Sequence, residues 1–471
     1  MKDEVKINFI KELYKNIGNT CLVDGKIGSI RKQGKIAFLD LIDYTGKVQI
    51  VVKKEETGKY FSKVKDITVG SYVAIKGKVI KNNKKQIEIE ASSIELLAKA
   101  TLIISPNPYN INILNPKYAT QFFNFPSIYL ANPKRAAILK LKTDFIMGLH
   151  NYFIEKGFTL VEPPILTDKT LYHDENAVKA VVHGENVFLT QCATFELEAL
   201  AMVYKKVYTI SPAFRNEKGG SKRHLAEYTH AKAEVLLANL EDLMFLAGDS
   251  IYHGVKYMIE KGKKELNLLG VEINLKALNP KNHIRMTYNE ALNITRRKGS
   301  TTEYGSSLTQ KDEEILSKYT QNKYIWVMFP PFVSEGFPYK RKPDQKELSM
   351  VADLIAPHGA GEMVGVAEKI SDPEELIENI IEKGKIKHIR RYWEYILLRF
   401  YGLPPHGGIG AAPERIIYGL LGLDHIRLTK PYPRYPDRKI NFWDQQKSLN
   451  PWKNSKIEKL IRKYKIDKFV E

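Results

Sequence analysis

Apolar and polar positions alternate in short runs through the first hundred residues. Runs at 20–23, 35–41, 47–52, 71–80 and 86–91 put apolar side chains on every second position, with turn-like Tyr44-Thr45-Gly46 and Asn82-Asn83 among them. A period of two predicts five strands, and five strands within one hundred residues predict a small closed barrel over 1–100, preceded by helical spacing at 4–16. The pattern then breaks. Pro106, Pro108, Pro116 and Pro126, interspersed with asparagines, predict an irregular connector over 101–130. Beyond it, Ile138, Leu141, Phe145, Leu149 and Phe153 recur at helical spacing behind the cap Asn132 and the first-turn residue Pro133, until Gly157 stops the run.

Residues 158–166 read as a strand whose Pro163 and Pro164 bar it from the middle of a ladder. Further strands are expected at 186–190, 207–215, 228–235 and 362–367, and helices at 238–262, 373–383, 388–400 and 411–421. Strands and helices do not alternate regularly, so the expected class is α+β, with a mostly antiparallel sheet flanked by helices over 131–438. The extension 439–471 carries 9 basic and 4 acidic residues, with Ile457, Leu460, Ile461 and Tyr464 at helical spacing, and reads as a docked basic helix.

Charge changes this picture by naming a class of partner. Lys and Arg total 73 against 54 Asp and Glu, a net charge of +19 over 471 residues, which points to a polyanion. The barrel segment 17–100 itself carries 16 basic and 9 acidic residues. That fits both a nucleic-acid-gripping OB-fold and a structural barrel with a solvated lysine surface. Cys21 and Cys192 stand alone without zinc-ligand spacing, so neither a disulfide framework nor a structural zinc site is expected. A charged start and the absence of any long apolar run predict a cytoplasmic protein with no membrane span.

Candidate chemistry concentrates in three places. Arg215, Glu217, Arg223 and His224 would surround one hairpin, with Tyr228 able to stack under a purine. Arginine suits phosphate because its rigid fork makes two charge-assisted hydrogen bonds and stays protonated. A charged, solvent-facing hairpin is the plainer alternative. Residues 404–415 form a glycine-rich turn ahead of a helix that begins near Arg415, without the spacing of a Walker loop or a dinucleotide fingerprint. Asp353 and Glu362 could face each other across a sheet and hold Mg²⁺, or Asp353 could merely cap a turn.

In order, these pieces resemble a class II aminoacyl-tRNA synthetase of the aspartyl/asparaginyl subgroup. Glu162-Pro163-Pro164 after the long helix resembles motif 1, residues 215–217 with 223–234 motif 2, and residues 408–415 motif 3; the match runs from about residue 17 to residue 438. The resemblance implies an OB-fold anticodon-binding domain, ATP and Mg²⁺ as cofactors, tRNA as partner, and a homodimer formed around Pro164. It also implies that Arg215 holds the α-phosphate, Glu217 reads the adenine amine, Arg223 and His224 reach the γ-phosphate, Tyr228 and Arg415 sandwich adenine, and Asp353 and Glu362 bind Mg²⁺. Gln191, Thr194, Leu197, Glu362 and Arg399 would line the amino-acid pocket, and Arg31, Phe38 and Gln49 would meet anticodon bases. Leu197 stands where the aspartyl type has a lysine for the substrate carboxylate, which favours asparagine as substrate and tRNA(Asn) as partner. An aspartate-charging enzyme, acting on aspartate tRNA alone or on both aspartate and asparagine tRNAs, and a non-catalytic RNA-binding paralogue are the alternatives.

Overall fold

The computed structural model describes residues 9–101, 107–118, 126–171, 174–216, 221–435, 459 and 462–464. They fall in two compact units, 1–140 and 141–471. In the first, strands β1 (Thr20–Gln33), β2 (Ile36–Asp43), β3 (Gly46–Lys53), β4 (Tyr72–Lys81) and β5 (Ile87–Ala98) close into a barrel of order β1-β2-β3-β5-β4. The alternation explains the closure: Val23, Ile27, Leu39, Ile50, Val73, Ile75 and Ile89 all point inward and are fully buried. Strand β1 runs well past residue 23. Its register shifts between Ile27 and Ser29, and at Gly25 and Gly28 a Cβ would run into Ile42, so the apolar alternation fails where the strand continues. The helix expected over 4–16 is a 3₁₀ segment at Ile10–Asn16, with residues 1–8 outside the described set.

Helix α1 (Pro133–Glu155) begins where the Asn132 side chain accepts from the amides of Lys134 and Arg135, at 3.0 and 3.2 Å. In the second unit, eight strands form one sheet: β6 (Thr159–Leu160), β7 (Lys206–Phe214), β8 (Glu227–Leu236), β9 (Ile284–Thr287), β10 (Ile325–Met328), β11 (Val351–Ala356), β12 (Gly361–Lys369) and β13 (His406–Ala411). Their order is β9-β10-β11-β12-β13-β8-β7-β6, with parallel pairs only at the two edges. Helix α3 (Leu240–Lys261) buries Leu243, Met244, Ala247 and Ile251; α2 (Thr194–Tyr204), α4 (Gln310–Tyr319), α5 (Trp393–Phe400) and α6 (Pro413–Leu420) complete the scaffold used below.

Three expectations are revised. The strand at 158–166 is split at its prolines: Thr159–Leu160 joins the large sheet, and Leu166–Thr167 joins a separate three-stranded one, because Pro163 and Pro164 have no N–H to give a ladder. The helix at 388–400 is a 3₁₀ stretch, Ile386–Tyr392, followed by α5. The glycine-rich turn at 404–415 is strand β13, lying between β12 and β8. The helix expected in 439–471 falls outside the described residues except at 459 and 462–464. Among the described residues, no helix is long and apolar enough to cross a membrane.

Candidate active site

Strands β7 and β8 pair antiparallel as a hairpin, and the Arg215 amide donates to the Ala226 carbonyl at its mouth, at 2.9 Å. The Arg215 guanidinium carbon lies 5.8 Å from the centre of the Tyr228 ring. Arg223, on the returning arm, ion-pairs with Glu313 of α4, and Arg415 of α6 donates from Nη2 to the Arg223 carbonyl at 2.9 Å. Gly361 makes this meeting possible. Its φ is +87°, and a Cβ there would collide with Arg223 Nη1 and sit 3.1 Å from Arg415 Nη1. Three arginines thus converge on one cleft, lined also by His224, Tyr228 and Glu362. Glu217 lies outside the described residues.

Glu414 clamps the two segments together. Its buried carboxylate accepts from the Thr229 amide (3.1 Å) and hydroxyl (2.7 Å), with Lys142 Nζ at 3.1 Å. Burial alone would raise its pKa, but Lys142 and Lys430 hold it below the ordinary glutamate value.

A second cavity of about 260 Å³ shares Arg215, His230, Glu362 and Gly410 with the first. Cross-strand neighbours share a face, and here Lys232 pairs with Gly410, Gly410 with Gly365, and Gly365 with Asp353. Two glycines therefore separate a lysine from an aspartate, leaving an open floor where side chains would otherwise fill the space. The β13 glycines are necessary for a second reason: a Cβ on Gly408 would strike Glu234, and one on Gly410 would lie 3.0 Å from His230 Nε2. Burial, with Lys232 and Arg215 nearby, drives His230 well below the ordinary histidine range, so it is neutral at pH 7.

At the other end of this floor, a Cβ on Gly365 would stand 2.9 Å from Asp353 Oδ1 and 3.4 Å from Glu362 Oε1. Burial, together with Glu362, Glu335 and Glu313, pushes Asp353 well above the ordinary aspartate value. Burial and Glu362 bring Glu335 up to about 7. Carboxylate oxygens crowded around a glycine gap are a donor set that suits a hard divalent cation such as Mg²⁺.

The residues expected around the amino acid separate in space. Thr194, first residue of α2, accepts a 2.6 Å hydrogen bond from Lys232 Nζ. Gln191 is buried, and its Oε1 accepts from the Leu171 amide at 3.1 Å. Leu197 packs in an apolar cluster with Ala193, Ala201 and Val207, away from the residues lining either cavity. Arg399 is fully buried against Glu198, which also accepts from Tyr395 (2.8 Å) and lies 3.0 Å from Lys369 Nζ; Lys369 reaches Glu234 at 2.7 Å. Glu198, Glu234 and His406 offer ligand atoms within 4.8 Å of one another, but Lys369 and Arg399 already supply the positive charge there. Lys232 and His230 stood in view in the hairpin sequence at a spacing of two. Glu313 and Glu335 carried no sequence signal at all.

In the barrel, Arg31, Phe38 and Gln49 do come together. The Arg31 guanidinium carbon is 5.8 Å from the Phe38 ring centre, and Arg31 Nη2 donates to Gln49 Oε1 at 3.0 Å.

Residues 121–436 match the family described as tRNA synthetases class II (D, K and N), and residues 22–97 match the OB-fold nucleic acid binding domain. The chain is a class II tRNA synthetase. It is 30% identical to an asparagine–tRNA ligase of Desulforamulus reducens over 429 residues, covering 90% of this chain and 97% of the relative. It is 29% identical to that of Koribacter versatilis, covering 92% and 98%. Among solved structures, asparaginyl-tRNA synthetase from Pyrococcus horikoshii complexed with asparaginyl-adenylate superposes with a TM-score of 0.86 at 28% identity, covering 92% and 99%. The β7–β8 hairpin on one side and β13 with α6 on the other wall the arginine-lined cleft.

Proposed function

We propose that this protein is an asparagine–tRNA ligase that activates asparagine with ATP and transfers it to the 3′ end of tRNA(Asn). The observation that carries this reading is the convergence of Arg215, Arg223 and Arg415 on one cleft, opening into a second cavity, in a chain similar over nine-tenths of its length to asparagine–tRNA ligases.

ATP lies with its adenine between Tyr228 and Arg415, its α-phosphate at Arg215 and its γ-phosphate at Arg223 and His224. Asp353 and Glu362 would hold Mg²⁺, which would supply positive charge against the phosphates. The amino-acid carboxylate attacks the α-phosphorus in line, a bond to that phosphorus forms, and pyrophosphate leaves with the electron pair of the broken bond. No protein nucleophile is needed, because preorganised guanidinium groups stabilise the charge that develops. Arg31, Phe38 and Gln49 read anticodon bases on the barrel face by stacking and hydrogen bonding. The enzyme works in the cytoplasm as a homodimer through the segment around Pro164.

Pyrophosphate exchange into ATP tests the assignment: asparagine is expected to drive it faster than aspartate, and the reverse order overturns the choice of amino acid. Phe38→Ala is expected to lower aminoacylation of tRNA by about tenfold or more, the cost of one lost base stack, while exchange stays near wild type. Equal loss of both rates would contradict the division of labour.

A further inference from the structure

The second cavity is lined by a buried lysine that forms no ion pair among the described residues. Lys232 is nine-tenths buried and lines the cavity, and among the described residues its Nζ has the Thr194 hydroxyl as its hydrogen-bond partner and forms no ion pair. The carboxylates nearest in the sheet are spoken for: Glu198 pairs with Arg399 and Lys369, and Lys369 also bridges to Glu234. Neither carboxylate pairs with Lys232, although Glu234 keeps one oxygen, Oε1, without a hydrogen-bond partner among the described residues. A buried ammonium without a counter-ion is costly, and the cavity it faces is where a counter-ion can enter.

Its place on the sheet says which part of a ligand it meets. The two cavities join at Arg215, His230, Glu362 and Gly410, so a carboxylate reacting with the α-phosphate lies at that junction. Lys232 is two residues beyond His230 on β8, on the same face, which is about 7 Å deeper along the strand. The opposite wall, across Gly410 and Gly365, carries the carboxyl groups of Asp353 and Glu335. An amino acid with its α-carboxylate at the junction can turn its ammonium to that wall and its side chain to Lys232.

We propose that Lys232 binds the side-chain oxygen of the amino-acid substrate, and that through this contact the pocket activates aspartate as well as asparagine. This rests on the ligase reading above. An amide offers Lys232 a carbonyl oxygen, and a side-chain carboxylate offers it the missing charge. In the aspartate reaction an α-carboxylate oxygen bonds to the α-phosphorus and the bond from that phosphorus to the α,β-bridging oxygen breaks. Pyrophosphate departs with the electron pair, and the side-chain carboxylate stays ionised against Lys232.

The test is pyrophosphate exchange with asparagine and with aspartate on the full chain, for the wild type, Lys232→Met and Lys232→Gln. The wild type is expected to use aspartate with kcat/KM within about 100-fold of asparagine, and both variants to shift the ratio by about 100-fold towards asparagine. Competition on the wild type by the unreactive sulfamoyl analogues of aspartyl- and asparaginyl-adenylate gives the same comparison without a variant, and binding within about 100-fold of each other supports the proposal. Aspartate activity and analogue binding more than about 10⁴-fold below asparagine, or variants that leave the ratio unmoved, overturn it while leaving the ligase reading intact. Exchange with neither amino acid by a folded wild type overturns both.

Discussion

Replacing Arg215 by alanine is expected to lower ATP–pyrophosphate exchange by about a thousandfold or more, the scale of losing a preorganised charge at a reacting centre. The side chain stands at the mouth of the β7–β8 hairpin, over the Tyr228 ring, and is a cation lining both cavities. A lysine there would restore a charge but not the planar fork, so Arg215→Lys should recover only part of the loss. The measurement is exchange at saturating ATP beside a melting curve. An alanine variant that melts like the wild type and exchanges within tenfold of it would remove Arg215 from the reaction.

The second large effect concerns stability. Glu198→Ala is expected to destabilise the catalytic unit by about 3–5 kcal/mol, because it leaves two buried cations without their shared anion. Glu198 is completely buried, and Arg399, Lys369 and Tyr395 all direct donors at it, with His406 Nε2 3.1 Å away. Arg399 has further acceptors in the carbonyls of Ile370 (3.1 Å) and Tyr395 (3.0 Å), but these carry no net charge. Glu198→Gln keeps the shape and loses the charge, so it separates charge from packing: it should fall between the wild type and alanine in urea unfolding. Indistinguishable urea midpoints for all three proteins would show that the carboxylate does not hold the network together.

Much of the cleft was legible along the chain because its residues are close together in sequence. Arg215, Arg223, His224 and Tyr228 belong to one hairpin, whose arms were marked by alternating apolar positions. Residues 404–415 were misread as a turn for a definite reason. A strand made of glycines has no side chains to alternate, and the need for those glycines arises from Glu234 and His230 on the neighbouring strand. For Leu197, lining up the motif fixes its position in the string, but the face of α2 it occupies depends on Val207 across the packing interface.

Local pattern along the chain was enough to specify the five-stranded barrel, the long helix behind Asn132-Pro133 and the hairpin. Each of these follows from periodicity or punctuation within a short window, where backbone geometry dictates which side chains share a face. Only the packing of distant segments brings Arg223 and Arg415, 192 positions apart, together over Gly361, sets Arg399 against Glu198, and leaves Lys232 lining a cavity with no ion pair among the described residues. Whether a charge is neutralised depends on distance and burial in three dimensions, and no pattern along the chain encodes either.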